Sequence, residues 1–154
     1  MFSEKDIFYM KQALREAEKA FEQKEVPVGA VVVFEDKIIG RGYNQTINLK
    51  DPTAHAEMIA ITSAANHLQD YRLNGCKIYV TLEPCPMCAG ALVNSRIDAL
   101  YFSVFDPKAG ACGTIFNITN NYKLNHKIKT YSGLLEEESK SLLRLFFSSL
   151  RNMN

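Results

Sequence analysis

The stretch KIYVTLEPCPMCAGALVNSRIDALYFSV, residues 77–104, decides the fold. Lys77–Leu82 is β-branched, aromatic and almost continuously apolar, which predicts a strand buried on both faces. Pro86, a residue type favoured at the first position of a helix, is expected to open a helix that runs to about Ser95. Ile97–Val104 is a second apolar strand. A strand, a helix and a strand in this order predict a parallel βαβ crossover in an α/β domain.

The segment before this unit predicts a helix, a hairpin and a second helix. Ser3 and Asp6 have the spacing of a capping box, and apolar residues recur at helical spacing from there to about Glu25. Two β-rich runs separated by a short turn predict an antiparallel hairpin, and Thr53 is the expected N-cap of the helix that follows. The predicted ranges are Val28–Phe34 and Ile38–Gly42 for the strands and Ala54–Leu68 for the helix.

The segment after the βαβ unit predicts the remaining elements. Pro107–Gly113 is a glycine-containing loop, Ile115–Ile118 is expected to form a short helical turn, and Lys127–Tyr131 is a candidate fifth strand. Leu134–Arg151 has the apolar spacing of a final amphipathic helix. Because we find neither a linker nor an internal repeat, the prediction is one α/β domain over residues 1–154, with a mixed five-stranded sheet between layers of helices.

Length and composition are typical of a folded globular domain. The 154 residues are 47% hydrophobic and 23% charged, which excludes a disordered or low-complexity chain. No stretch reaches the ~18 uninterrupted apolar residues of a membrane span, so no membrane partner is expected. Eighteen Lys+Arg against 17 Asp+Glu leave a net charge of +1, which by itself argues mildly against a nucleic-acid partner. Four cysteines and a charged N-terminus without a secretory signal predict a reducing compartment, the cytoplasm.

Two short motifs contain candidate metal ligands. His55-Ala56-Glu57 lies near the start of the second predicted helix, and Cys85 and Cys88 lie at the start of the third. Alone, His-x-Glu is equally typical of an ordinary helix start, and Cys-x-x-Cys of a redox pair or two buried small residues. Together they predict a zinc site, because two thiolates and one neutral imidazole neutralise Zn²⁺ and suit its tetrahedral geometry.

The expected zinc site is open, because only three convincing ligands are present and water is the expected fourth. Zinc lowers the pKa of such a water to about 7, which gives a hydroxide nucleophile at neutral pH. Glu57 does not point the same way as His55 on a helix, so it is expected to move protons between this water and a substrate. Cys76 and Cys112 have no partner at ligand spacing and are expected to be ordinary buried or loop cysteines.

The two motifs resemble the H-x-E…P-C-x-x-C signature of the cytidine and deoxycytidylate deaminases, which are zinc enzymes. Further stretches resemble the bacterial tRNA-specific adenosine deaminases, and together they cover essentially the whole chain. These stretches are EVPVGAV (25–31), DPTAHAE (51–57), YVTLEPC (79–85), MCAGA (87–91), Ser95-Arg96-Ile97, Asp106-Pro107-Lys108, Leu124-Asn125-His126 and Phe146-Phe147.

The resemblance implies a three-layer α/β/α, cytidine-deaminase-like fold and a homodimer with one zinc ion per subunit. It implies that the zinc ion is held by His55, Cys85 and Cys88, with a bound water or hydroxide as nucleophile and Glu57 as proton shuttle. The implied reaction converts the wobble adenosine of a tRNA anticodon to inosine and releases ammonia.

The resemblance also implies where the substrate binds. Asn44 matches the family's base-contacting asparagine, although alone it is typical of a turn. The stretch from Pro107 to Leu135 contains four lysines and no acid, which predicts a local phosphate-binding patch for a tRNA anticodon stem-loop. The residues expected to contact substrate are Asn44, Ala56, Asp106, Lys108 and Asn125.

Two other functions are compatible with a zinc centre of this kind. One is a deaminase of a free base or nucleoside, such as guanine or cytosine, because the zinc centre does not encode the substrate. The other is a catalytically silent, zinc-stabilised RNA-binding or scaffold domain. Glu57 argues against the second, because a structural zinc ion does not need a carboxylate beside it.

Overall fold

A computed structural model describes residues 2–152, which form a five-stranded sheet with two helices on each face. Its helices and strands, in chain order, are α1 (Glu4–Glu22), β1 (Gly29–Phe34), β2 (Lys37–Tyr43), α2 (Ala56–Leu68), β3 (Cys76–Leu82), α3 (Pro86–Asn94), β4 (Ala99–Val104), β5 (Lys129–Ser132) and α4 (Glu136–Asn152). Within this part of the chain no helix is long and apolar enough to cross a bilayer.

The sheet is mixed, with strand order β2-β1-β3-β4-β5. Strand β1 runs antiparallel to both β2 and β3, whereas β3, β4 and β5 are mutually parallel. The predicted hairpin, the parallel βαβ unit and the fifth strand are therefore confirmed. The hairpin turns at Glu35 and Asp36, both with positive φ, as the tight turns that match strand twist require.

Alternate residues of the central strands supply two apolar cores. On one face Val32, Ile78 and Val80 pack with α2 and α3. On the other face Val31 and Tyr79 pack with α1 and with residues just before α4. Because β1 and β3 are covered on both faces, their sequences are nearly continuously apolar.

Two local predictions are wrong. Thr53 is not the N-cap of α2, because its hydroxyl and amide both donate to Asp51 Oδ1; the N-cap is His55. Residues 115–118 form no helical turn. Their amides reach back to a preceding loop instead, since Ile115 donates to the Gly110 carbonyl and Ile118 to that of Ala111. An isolated bridge joins Cys112 to Asn117 in the same region.

Candidate active site

The functional side chains converge on one pocket at the end of the sheet where β2, β3 and β4 finish. The pocket encloses about 310 Å³. Its walls come from the segment before β1, the segments at the ends of β2, β3 and β4, the first turn of α2 and the N-cap of α3. The lining residues are Val26, Val28, Asn44, Thr46, His55, Ala56, Glu57, Leu82, Glu83, Cys85, Asp106 and Ala109.

Two helix N-termini bring the three expected zinc ligands together. His55 is the N-cap of α2 and Cys85 is the N-cap of α3, both with extended backbone. Neither side chain caps its own helix by a hydrogen bond, so both are directed to the space between the helices. Cys88 lies in the first turn of α3 and is fully buried.

The spacing of these donor atoms fits a zinc ion. His55 Nδ1 lies 3.6 Å from Cys85 Sγ and 3.5 Å from Cys88 Sγ. Zinc bonds of about 2.3 Å to sulfur and about 2.0 Å to nitrogen at a tetrahedral angle place the two atoms about 3.5 Å apart. The same three residues form a cluster with all donor atoms within 4.8 Å of one another. Geometry and donor chemistry therefore both match zinc.

The two thiols differ in their affinity for protons. A hydrogen bond from the Cys88 thiol, together with one from His55, lowers the pKa of Cys85 to about 4 despite partial burial. The same contact with Cys85, reinforced by burial, raises the pKa of Cys88. A metal ion binds the deprotonated forms of these side chains, so metal binding at this cluster is coupled to the release of protons.

Glu57 stands at the pocket wall in the first turn of α2. Its side chain is almost fully buried, and burial raises the pKa of the carboxyl to about 7. A group with this pKa accepts and releases protons readily near neutral pH, which is the property required of a general acid and base. Glu57 lines the pocket and lies outside the ligand cluster, and its role in proton transfer stays a prediction.

Of the expected substrate contacts, Asn44, Ala56 and Asp106 line the pocket. Asn44 is buried and its Nδ2 donates to the Val26 carbonyl, while its Oδ1 has no hydrogen-bond partner among residues 2–152. Lys108 and Asn125 are exposed and do not line the pocket. Lys108 lies beside it, because its amide donates to Asp106 Oδ1.

Cys76 and Cys112 are buried free thiols outside the ligand cluster, as predicted. Burial raises the pKa of Cys76 to about 11 and that of Cys112 to about 12. Both are therefore protonated at neutral pH and behave as small apolar residues.

Two buried carboxylates, Glu83 in the pocket wall and Glu25 next to it, are absent from the sequence-based predictions. Glu25 accepts from the amides of Ile47 and Asn48, and Glu83 accepts from the amides of Asp106 and Cys112. The available signal was an acid next to a buried apolar strand, which requires a compensating set of donors. The sequence does not show which segment supplies those donors.

Comparisons with known proteins agree with this geometry. The family model described as "Cytidine and deoxycytidylate deaminase zinc-binding region" matches residues 3–104. A tRNA-specific adenosine deaminase of Bacillus subtilis (strain 168) is 48% identical over 95% of this chain and 91% of its own. That of Aquifex aeolicus (strain VF5) is 52% identical over 94% of this chain and 95% of its own.

Solved structures give the same result. A structure described for A-to-I editing by tRNA:A34 deaminases at the wobble position of transfer RNA has a TM-score of 0.85 and is 44% identical, covering 88% of this chain and 99% of its own. A guanine deaminase from Nitrosomonas europaea, 23% identical over 95% of this chain and 85% of its own, shares the fold with a TM-score of 0.79. The chain therefore belongs to the tRNA-specific adenosine deaminases, within the cytidine and deoxycytidylate deaminase family.

Proposed function

We propose that this protein hydrolyses the wobble adenosine of a tRNA anticodon to inosine and releases ammonia. The observation that carries the proposal is the joint placement of the His55–Cys85–Cys88 cluster and the buried Glu57 at one pocket in a tRNA deaminase chain. Residues 1–154 act as a single deaminase domain, and the reaction is expected in the cytoplasm, where tRNA is modified.

Zinc is the cofactor, and His55, Cys85 and Cys88 are the residues that would hold it. When bound, the metal supplies Lewis acidity, which brings the pKa of a water molecule close to neutrality. The balance of the reaction is one water consumed, a C–O bond formed at C6 of adenine, and the C6–N bond broken to give ammonia.

Glu57 is the group that moves the protons. Its carboxylate takes a proton from the attacking water and returns it to the amino group that leaves as ammonia, so the residue ends the cycle as it began. Burial favours this role, because it raises the carboxyl pKa and so makes Glu57 a stronger base than an exposed carboxylate.

The pocket walls suit a flat base with polar edges. Val28 and Leu82 offer apolar surface, while Asn44 Oδ1 is a buried acceptor without a partner in the described chain. The amide of Ala56, in the first turn of α2, is a second candidate for base recognition because first-turn amides lack helical acceptors. Asp106, Lys108 and Asn125 are proposed to contact the RNA outside the base pocket.

A substrate panel tests the proposal directly. The zinc-loaded protein is incubated with an adenosine-containing anticodon stem-loop and, separately, with free adenine, adenosine, guanine and cytidine. We expect inosine only in the stem-loop, at the wobble position. Turnover of a free base or nucleoside with an inert stem-loop would show instead that the protein is a small-molecule deaminase.

We infer that the protein works as a homodimer. Two segments next to pocket-lining residues carry exposed apolar side chains. Ile47 and Leu49 follow Thr46 in the chain, and the amides of Ile115 and Phe116 donate to the Gly110 carbonyl beside Ala109. A second copy covering them would remove this surface from water. Sedimentation equilibrium is expected to give twice the mass of one chain, and Ile47→Asp is expected to shift the protein towards the monomer. A monomer at every concentration would contradict the inference.

A further inference from the structure

Glu83 is a buried carboxylate to which the reaction above gives no task. It follows β3 directly, two residues before Cys85, and is 2% exposed. Among residues 2–152 no lysine, arginine or histidine forms a salt bridge with it. A carboxylate withdrawn from water without a cation must be satisfied by hydrogen-bond donors.

Within the described part of the chain, all hydrogen bonds to the Glu83 side chain come from one segment, residues 106–114. The amide of Asp106 donates to Oε1 at 2.9 Å, and the amides of Cys112 and Thr114 donate to Oε2 at 2.9 Å and 3.2 Å. The Thr114 hydroxyl donates to Oε1 as well. The carboxylate therefore binds both ends of the segment.

The middle of the segment closes tightly on the same carboxylate. A Cβ at Gly110 would overlap Glu83 Oε1 and would lie 2.6 Å from the Asp106 carbonyl oxygen. The Asp106 side chain fixes the next residues of the segment, because its Oδ1 accepts from the amides of Lys108 and Ala109. Asp106 and Ala109 line the pocket.

The geometry assigns to Glu83 the role of a positioning residue, which fixes the 106–114 segment as one wall of the pocket and acts on RNA binding through Asp106 and Lys108. This inference rests on the proposed function. It differs from the role of Glu57, because Glu83 moves no proton and the segment it holds contributes neither a zinc ligand nor the proton shuttle.

The variant Glu83→Gln tests the inference selectively. An amide has one accepting oxygen, and that oxygen keeps two amide donors if it faces Cys112 and Thr114. The NH₂ group then faces the Thr114 hydroxyl and the Asp106 amide. The hydroxyl can accept a hydrogen bond from this group, but the amide N–H cannot, so the Asp106 amide loses its acceptor. The expected result is a KM for the anticodon stem-loop raised about tenfold, with kcat changed less than about threefold and zinc content unchanged.

Hydrogen exchange supplies a readout that does not depend on turnover. In Glu83→Gln the Asp106 amide is expected to lose more protection than the Cys112 amide. Unchanged KM with unchanged Asp106 exchange overturns the inference, and so does loss of zinc, which would place the role of Glu83 at Cys85. A wild-type protein inactive on the stem-loop contradicts the proposed function instead, and the exchange result still decides the role of Glu83.

Two further variants complete the design. Glu16→Gln is the matched control, because Glu16 in α1 is equally buried but forms salt bridges with Lys19 and Arg41. This variant is expected to lower stability without changing KM. Gly110→Ala disturbs the same contact from the loop side, at a distance in sequence from Cys85. It is expected to raise KM as Glu83→Gln does, and if Glu83→Gln fails to fold, an unchanged KM in Gly110→Ala overturns the inference.

Discussion

Glu57 owes its chemistry to its position in the first turn of α2, where burial raises the carboxyl pKa to about 7. We predict that Glu57→Gln lowers kcat by about 10²-fold to 10⁴-fold, the usual contribution of a general acid and base. Because His55, Cys85 and Cys88 are unchanged, zinc content measured by atomic emission is expected to stay near one ion per chain.

Loss of zinc from Glu57→Gln would show that the carboxylate supports the metal rather than the proton transfer. Retention of wild-type kcat would show that another group moves the proton. A matched control is Glu18→Gln, since Glu18 is an exposed acid on α1 and is expected to alter neither kcat nor zinc content.

For single residues, the sequence predicts the metal ligands better than it predicts the buried carboxylates that hold neighbouring segments in place. His55, Cys85 and Cys88 carry side chains whose chemistry and spacing already specify zinc. Glu25 and Glu83 carry common side chains whose partners are backbone amides of distant segments. Those amides have no residue-type signature, so these roles become visible only when the chain is folded.

Helix α2 reaches its place because β2 presents glycines to it. A Cβ at Gly42 would overlap the Ala56 carbonyl oxygen and lie 2.8 Å from the Ala60 nitrogen. We predict that Gly42→Ala lowers the free energy of unfolding by about 1–3 kcal/mol through overpacking. It is also expected to weaken zinc binding, because His55 and Glu57 flank Ala56. Urea unfolding and zinc titration measure the two effects.

Gly90→Ala is the control for Gly42→Ala. Gly90 lies in α3, and among residues 2–152 no atom beyond its chain neighbours and the backbone of its own helix lies within 4 Å of an added Cβ. Alanine is therefore expected to be neutral or to stabilise the helix by up to about 1 kcal/mol. If Gly42→Ala were as stable as the wild type, α2 would not depend on this close approach.

Helix α1 is tied to the sheet by a hydrogen bond from Tyr79 Oη to Asp6 Oδ1, 2.6 Å long and buried. Burial alone would raise the pKa of Asp6, but hydrogen bonds from Tyr79 and Ser3 outweigh it and lower the pKa. We predict that Tyr79→Phe costs about 1.5–3 kcal/mol of unfolding free energy at pH 7, the usual value for a hydrogen bond to a charged group.

The pH dependence of this cost has a definite sign. A lowered folded-state pKa stabilises the protein above the unfolded-state pKa of about 3.9, and this stabilisation is lost as pH falls through the folded-state pKa. The difference in urea unfolding between wild type and Tyr79→Phe should therefore shrink on acidification. Tyr131→Phe, in the same stack of rings but exposed, is expected to show no such difference. A pH-independent cost would contradict the assignment to Asp6.

Elements are predictable from sequence where periodicity and capping agree with packing. The capping box of α1 and all five strands follow from local patterns, and the structure confirms them. The predicted helical turn at residues 115–118 does not form, because its amides donate to the carbonyl oxygens of Gly110 and Ala111. Those two residues lie in a segment that Glu83 holds in place. The start of α2 shifts from Thr53 to His55 because the Thr53 hydroxyl is used by Asp51.

On the scale of the whole molecule, the net charge of +1 hides an uneven distribution of charge. Residues 107–135 contain four lysines and no acid, and the excess of acids that offsets them lies in residues 1–106, with 14 Asp+Glu against 11 Lys+Arg. Lys108 is exposed beside the pocket, after the end of β4, and Lys123 is exposed in the connection from β4 to β5. Lys37 is exposed at the opposite end of the sheet from Lys108, where β2 begins. A small RNA requires only one local basic surface, so near-neutrality does not conflict with a tRNA substrate.

This distribution predicts how RNA binding responds to salt. Each lysine–phosphate contact releases a counterion and contributes about 0.7–0.9 to the slope of log K against log salt concentration. We expect Lys108→Ala and Lys123→Ala each to flatten that slope by about this amount, measured by fluorescence anisotropy with a labelled anticodon stem-loop. Lys37→Ala is the matched control and should leave the slope unchanged. If Lys37→Ala flattened the slope and the other two variants did not, the RNA would lie at the opposite end of the sheet from the zinc ligands, and the basic segment would have no part in binding.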